Sequence, residues 1–376
     1  MFGYSHVDMI QFLPYTCQVA KKIIIDALGG DKGLGAIIEG VKLAMSRHPE
    51  LEIVLVGDEV AIKSALPQKL LSRVEIIHTT TNIAMDEHPT EAIRSKTQSS
   101  LVLGLTALKT REDCGAFVSA GSTGAVLTGA FMKVGRIPGV SRPALCPILP
   151  TFDKKGVMVV DVGANMDCKP LNLAHFAIMT DVYIRELRKS NLKISQLVKA
   201  VTVDDATWRP RLALLNVGTE DTKGNELTHG AFELMTKLKA EHGINFVGNM
   251  EARETFSGKY DAIICDGFHG NVLLKTLEGA GQLFGNGLKE AMRGFVGTIG
   301  KLILARRLLK MKRTLHEDAT GGAIFLGVNK PVIKAHGNAS PTALYNTIRL
   351  GMITAEMNLG EKIKQSIDEC APSIAE

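Results

Sequence analysis

The chain has 376 residues, 45% of them hydrophobic and 22% charged, which is enough to bury a large core and too apolar for a disordered polymer. Lys and Arg number 44 against 39 Asp and Glu, a formal charge of +5, and aromatic residues make up only 5%. That slight basic excess and that scarcity of stacking rings exclude nucleic acid as the expected partner.

Residues 1–20 carry no basic segment ahead of an apolar one, so they do not read as a secretory signal. They read as a disordered N-terminal extension, or as the product of an early start codon, ahead of a single catalytic domain over residues 21–372. No run of about 18 apolar residues interrupts the chain, so no membrane span is expected. The six cysteines, at 17, 114, 146, 168, 265 and 370, form no CxxC pair. Scattered thiols of this kind fit a reducing, cytoplasmic compartment, with neither a zinc site nor a disulfide framework.

From Lys22 onward short apolar runs alternate with longer amphipathic stretches. Most of the runs at Ile23–Ala27, Ile53–Val56, Val74–His78, Ala116–Ser119, Val157–Val162, Leu212–Val217, Phe246–Val247, Ala262–Cys265 and Val332–Ala335 are apolar throughout rather than alternating. That pattern suits parallel strands covered on both faces. Thr90–Arg111, Leu171–Arg188, Glu226–His242 and Thr342–Glu369 read as helices, and the βαβα rhythm predicts a layered α/β fold. Residues 189–208 fit neither pattern and read as a surface insertion. Residues 281–316 read as a basic amphipathic helical hairpin. There Leu288, Met292, Phe295, Ile299, Leu302 and Ile303 fall at helical spacing, among eight basic residues opposed by Glu290 alone. Such a helix suits an anionic membrane surface or a dimer partner.

The predicted strands end on small and polar residues: Gly29-Gly30-Asp31, Ser119-Ala120-Gly121-Ser122-Thr123-Gly124, Asp161-Val162-Gly163-Ala164-Asn165, Asn216-Val217-Gly218, Gly248-Asn249, Asp266-Gly267 and His336-Gly337. In open α/β sheets ligands sit outside the carboxyl ends of the strands, and glycine lets backbone N–H groups approach an anion. These turns are expected to build one polar rim around a phosphate-like group. No P-loop, G-x-G-x-x-G or G-x-S-x-G pattern is present, so nucleotide cofactors and an acyl-serine are not expected.

Five stretches together resemble the bacterial acyl-acyl carrier protein:phosphate acyltransferases of phospholipid synthesis. They are Ser119–Ala125, Asp161–Pro170, Leu214–Glu226, Gly248–Glu251 and Asp266–Val272, and the likeness runs from about Lys22 to the last helix. The resemblance implies a homodimeric three-layer α/β/α sandwich, Rossmann-like, of the isopropylmalate dehydrogenase and phosphate acetyltransferase type. It implies transfer of a fatty acyl group from acyl carrier protein to inorganic phosphate, without a cofactor or metal. The acyl phosphate would then feed a membrane glycerol-3-phosphate acyltransferase. The departures are Ser122 where the family usually has Asn, Thr320 in place of the usual Tyr, a longer 189–208 insertion, and the N-terminal extension.

On this reading Lys223, in the Lys-Gly-Asn-Glu motif, supplies a cation for phosphate or the oxyanion, and Asn271 an amide donor to the oxyanion. Alone, Lys223 would pass for a solvated surface charge and Asn271 for a helix cap. Gly29, Gly30, Asp31, Ser119, Gly121, Ser122, Thr123, Gly124, Asp161, Asn165, Lys169, Asn225 and His336 are the expected substrate contacts. His336 is placed either as a proton carrier or as a turn residue. Direct attack is expected, with Cys168 the best covalent alternative, and Lys133, Arg136 and Arg142 are candidates for docking the acidic carrier protein. Three competing readings remain: a short acyl-CoA phosphate acyltransferase, a metal- and NAD-dependent dehydrogenase of the same fold, and a non-catalytic membrane scaffold.

Overall fold

The computed structural model describes residues 22–153, 155–190, 207–294, 300, 304 and 322–374. Residues 1–20, most of the 189–208 insertion and most of the 295–316 part of the 281–316 hairpin lie outside them.

The first half builds β1 (Lys22–Asp26), α1 (Gly33–Arg47), β2 (Ile53–Gly57), α2 (Glu59–Ala65), α3 (Gln68–Leu71), β3 (Val74–His78), α4 (Pro89–Ser95), α5 (Ser100–Thr110), β4 (Cys114–Ser119) and α6 (Thr123–Gly129). Then follow β5 (Ala144–Leu149), β6 (Val157–Val160), α7 (Pro170–Lys189), β7 (Leu212–Asn216), α8 (Glu226–His242), β8 (Phe246–Glu251), β9 (Ala262–Ile264) and α9 (Gly267–Ala291). The chain closes with β10 (Ala323–Leu326), β11 (Val332–Lys334), α10 (Pro341–Glu356) and α11 (Leu359–Ile374).

Among the described residues eleven strands join one sheet in the order β3-β2-β1-β4-β11-β10-β5-β6-β9-β7-β8. Its two faces carry separate cores. On one, Ile38 and Val41 of α1, Phe176 and Tyr183 of α7, Leu238 of α8, Ile348 of α10 and Ile363 of α11 pack against Ile23, Leu55 and Leu214. On the other, Leu105 and Leu108 of α5 and Val126 of α6 cover Ile24, Phe117 and Ile263. Helix, sheet, helix: the expected three layers are present, and the strands are apolar on both sides because both sides are covered.

Two strands escaped the sequence reading. Pro147 lies inside β5, and a proline in an apolar run argues against a central strand; β10 is only a four-residue run after a glycine pair. Two predicted helices are each two. Ser99 starts α5 afresh, its Oγ accepting from Val102 N at 3.4 Å. Asn358, at φ 47°, ends the run between α10 and α11.

The missed strands change the topology. β10 pairs antiparallel with both β11 and β5, and β5 pairs antiparallel with β6. Strands β1, β2, β3, β4 and β11 therefore point one way, and β6, β7, β8 and β9 the other. The single polar rim expected from the sequence is two half-rims on opposite edges of the sheet. Four inter-strand steps separate β4 from β6, about 19 Å at ~4.8 Å each.

Candidate active site

The first half-rim gathers Gly29, Gly30 and Asp31 after β1, Ser119 through Gly124 after β4, and His336 after β11. Its floor is polar and buried. Asp26 accepts from Leu28 N at 3.1 Å and from Ser119 Oγ at 2.8 Å, while Ser119 Oγ accepts from Gly121 N at 3.0 Å. A Cβ on Gly29 would stand 2.6 Å from Asp26 Oδ2 and 2.9 Å from Gly121 N, so only glycine lets the two turns meet. Asp31 N donates to Gly337 O at 2.9 Å, tying the third loop to the first.

Lys334, in register with Ser119, is a residue the sequence reading missed. It is 7% exposed, and its ammonium donates to Ala120 O at 3.4 Å and also to Ala335 O. Burial pushes its pKa down to about 8, against the pull of Asp31 and Asp26. Burial likewise raises Asp26, against donors that favour its charged form. A small cleft over this floor is lined by Asp26, Asn82, Ser100, Gly121 and Ser122 among others. Ser122 caps no helix with its side chain, Thr123 is exposed, and Gly124 lies against Pro89. His336 Nδ1 accepts from Asn338 N at 3.2 Å, a turn-holding role.

The second half-rim carries Asp161, Asn165, Lys169, Lys223, Asn225 and Asn271, which follow β6, β7 and β9, neighbours in the sheet. Asp161 lies beneath this rim. Its Oδ1 accepts from Leu145 N at 2.9 Å and Ala164 N at 3.1 Å, and its Oδ2 from Asn165 N at 2.7 Å and Asn165 Nδ2 at 2.9 Å. With four donors on a side chain at 0% exposure, it pins the turn and turns no oxygen outward. Asn165 also gives Nδ2 to Pro143 O at 2.7 Å, so both its amide donors are used within the protein. Lys169 precedes α7, exposed, its N–H held by Asn172 Oδ1 at 2.7 Å.

Asn225 caps α8: its Oδ1 accepts from Thr228 N at 3.0 Å, and its own N–H donates to Thr228 Oγ1 at 2.9 Å. Lys223, two residues earlier, is exposed, and among the described residues its ammonium has no hydrogen bond or ion pair. Asn271 sits in the first turns of α9 facing Gly163, whose added Cβ would meet it at 3.7 Å. The cap of α9 is Asp266, not Asn271: its Oδ1 accepts from His269 N at 2.8 Å, and its Oδ2 pairs with His269 Nδ1 at 2.7 Å. The Asn271 amide is thus released from capping.

Exposed Phe268, Val272 and Met166 give this rim an apolar lip. Arg142 donates to Asp167 O at 2.9 Å, and the Arg136 guanidinium lies 5.2 Å over the Phe131 ring. Arg136 thus lies against the exposed Phe131, while Arg142 is tied to the loop at Asp167. Among the described residues no three His, Cys, Asp or Glu side chains are grouped to hold a metal ion.

A family model described as a fatty acid synthesis protein matches residues 21–362. A phosphate acyltransferase of Listeria innocua is 39% identical over 349 residues, covering 93% of this chain and 97% of that protein. One from Halalkalibacterium halodurans is 41% identical over 330 residues, covering 87% and 90%. Among solved structures, a phosphotransacetylase from Streptococcus pyogenes superposes with a TM-score of 0.52 at 16% identity, covering 93% of this chain and 94% of its own. The EutD phosphotransacetylase from Staphylococcus aureus gives 0.51 at 19% identity, covering 90% and 94%. At such identities these structures speak for the fold alone.

Proposed function

Because the chain belongs to the fatty acid synthesis protein family and is a phosphate acyltransferase by its relatives, we propose that it moves a fatty acyl group from acyl carrier protein to inorganic phosphate for phospholipid synthesis. An oxygen of hydrogen phosphate attacks the thioester carbonyl, a C–O bond forms and the C–S bond breaks. The phosphate proton ends on the departing thiolate, so acyl phosphate and free thiol balance the step. Lys223 meets the incoming phosphate charge and Asn271 donates to the oxyanion.

The observation that carries this reading is the pair of uncommitted polar side chains on adjoining strand ends. Among the described residues Lys223 offers an ammonium without an ion pair, and Asn271 an amide freed from capping by Asp266. Asp161 and Asn165 support the turn behind them, and the exposed Phe268, Val272 and Met166 offer apolar surface beside the acyl chain. A homodimer, a membrane glycerol-3-phosphate acyltransferase as consumer of the product, and an anionic membrane surface under α9 complete the proposal.

Acyl phosphate formation with acyl carrier protein and acetyl-CoA as alternative donors tests it. The carrier-bound acyl group is the expected donor; preference for acetyl-CoA would replace the reading with short-chain chemistry. Lys223→Ala is expected to lower kcat/KM by about 100-fold or more, and near-normal turnover would remove the assignment.

A further inference from the structure

We propose that Asn216 and Asn249 are positioning residues for Lys223, holding the backbone of its loop so that a free ammonium stands at one fixed place. The inference rests on the role given to Lys223 above and names two side chains with no part in that reading.

An exposed lysine on an untethered loop would spread its charge over many positions, and preorganisation would be lost. The stretch from Val217 to Asn225 is instead tied at four points. Asn216, the last residue of β7, accepts from Val217 N at 2.8 Å through Oδ1 and donates Nδ2 to Lys223 O at 3.0 Å. One side chain thus closes the loop from its first residue to its seventh. Asn249, on the neighbouring strand β8, donates Nδ2 to Glu220 O at 3.0 Å. Lys223 N donates to that same Glu220 O at 3.1 Å, so one carbonyl joins Asn249 to the lysine backbone.

Both asparagines are buried, at 9% and 6% exposure, on strands paired in parallel. The next residue confirms how tightly the loop is drawn in. Gly224 has φ +113°, and an added Cβ would stand 2.8 Å from Asn216 Oδ1 and 2.0 Å from Thr228 Oγ1. Beyond it the Asn225–Thr228 capping box fixes the chain as it enters α8. The backbone is fastened at Val217, Glu220, Lys223 and Asn225, while among the described residues the Lys223 side chain has no partner. Each buried amide donates to a carbonyl of the exposed loop and so serves that loop's shape.

The test is a double-mutant cycle on acyl phosphate formation. Asn216→Asp keeps an acceptor for Val217 N but no longer donates to Lys223 O, separating the start of the loop from its end. Asn249→Asp removes the donor to Glu220 O while preserving side-chain shape. Each is expected to lower kcat/KM for phosphate by about 10- to 100-fold, with the KM for the acyl donor within twofold of wild type. In a Lys223→Ala background each is expected to change turnover by less than twofold, because the group it positions is gone. Multiplicative losses in that background, or a rise in the acyl-donor KM equal to that for phosphate, would overturn the positioning role and leave the Lys223 assignment standing. Full activity of Lys223→Ala would remove both. If either asparagine variant fails to fold, the other carries the cycle.

Discussion

The thiol of Cys168 donates to Asn165 O at 3.7 Å, and burial, with Asp161 and Asp266 nearby, pushes its pKa up to about 12. A thiol so protonated at neutral pH is a poor nucleophile. Cys168→Ala is therefore expected to keep turnover within about threefold, with no acyl adduct on the wild-type protein by mass spectrometry; an adduct on Cys168 would establish a covalent route. Lys334 poses the reverse problem, an ammonium held in the protein at a cost. Its folded-state pKa, about 8, lies below the ordinary 10.5, so the folded protein binds fewer protons than the unfolded chain between those values. Stability at this group is accordingly lowest below pH 8 and rises toward pH 10.5, by ~3 kcal/mol in all. Lys334→Met should have a higher Tm than wild type at pH 7, and the gap should shrink by pH 10. A gap independent of pH would mean that the ammonium is not desolvated.

At the scale of elements, α9 departs most from ordinary packing. Only Gly267 and Gly270 of its 25 residues are buried, and Leu283 and Phe284 are 72% and 77% exposed. The first turns dock on the sheet: an added Cβ at Gly270 would overlap Asp161 O, and the Asp266 cap holds the start. The remainder leads toward the basic segment whose sequence suits either an anionic membrane surface or a dimer partner. Among the described residues no helix is long and apolar enough to cross a membrane. Surface association would combine an inserted apolar stripe with attraction of lysines and arginines to lipid charge. Co-flotation with vesicles containing anionic lipid is the expected outcome, weakened by high salt and by Leu283→Ser with Phe284→Ser. Flotation that survives the double substitution unchanged would place the contact elsewhere on the protein.

For the whole molecule, much was legible in the chain because its causes are local. Apolar runs of period-free hydrophobicity marked nine strands of a sheet covered on both faces, and ordered motifs such as Asp161–Pro170 and Leu214–Glu226 marked the family. Other features depend on contacts distant in sequence. β5 hid behind Pro147 and β10 behind its brevity, yet these two antiparallel strands reverse the sheet and divide the candidate contacts between two edges. Asp161 and Asn165 read as ligands because polar residues after a strand usually face outward. Tertiary structure turned them inward, where the N–H groups of Leu145 and Ala164 and the carbonyl of Pro143 needed partners. Lys334 carried no signal, since its burial follows from lying beside Ser119, 215 residues away in the chain. The sequence alone determined the layered fold class, the family and Lys223 as a residue to test, because periodicity and motif are written in neighbouring residues. Which polar groups stay free for chemistry was decided only by the tertiary structure, because a hydrogen bond once made within the protein is no longer available to a substrate.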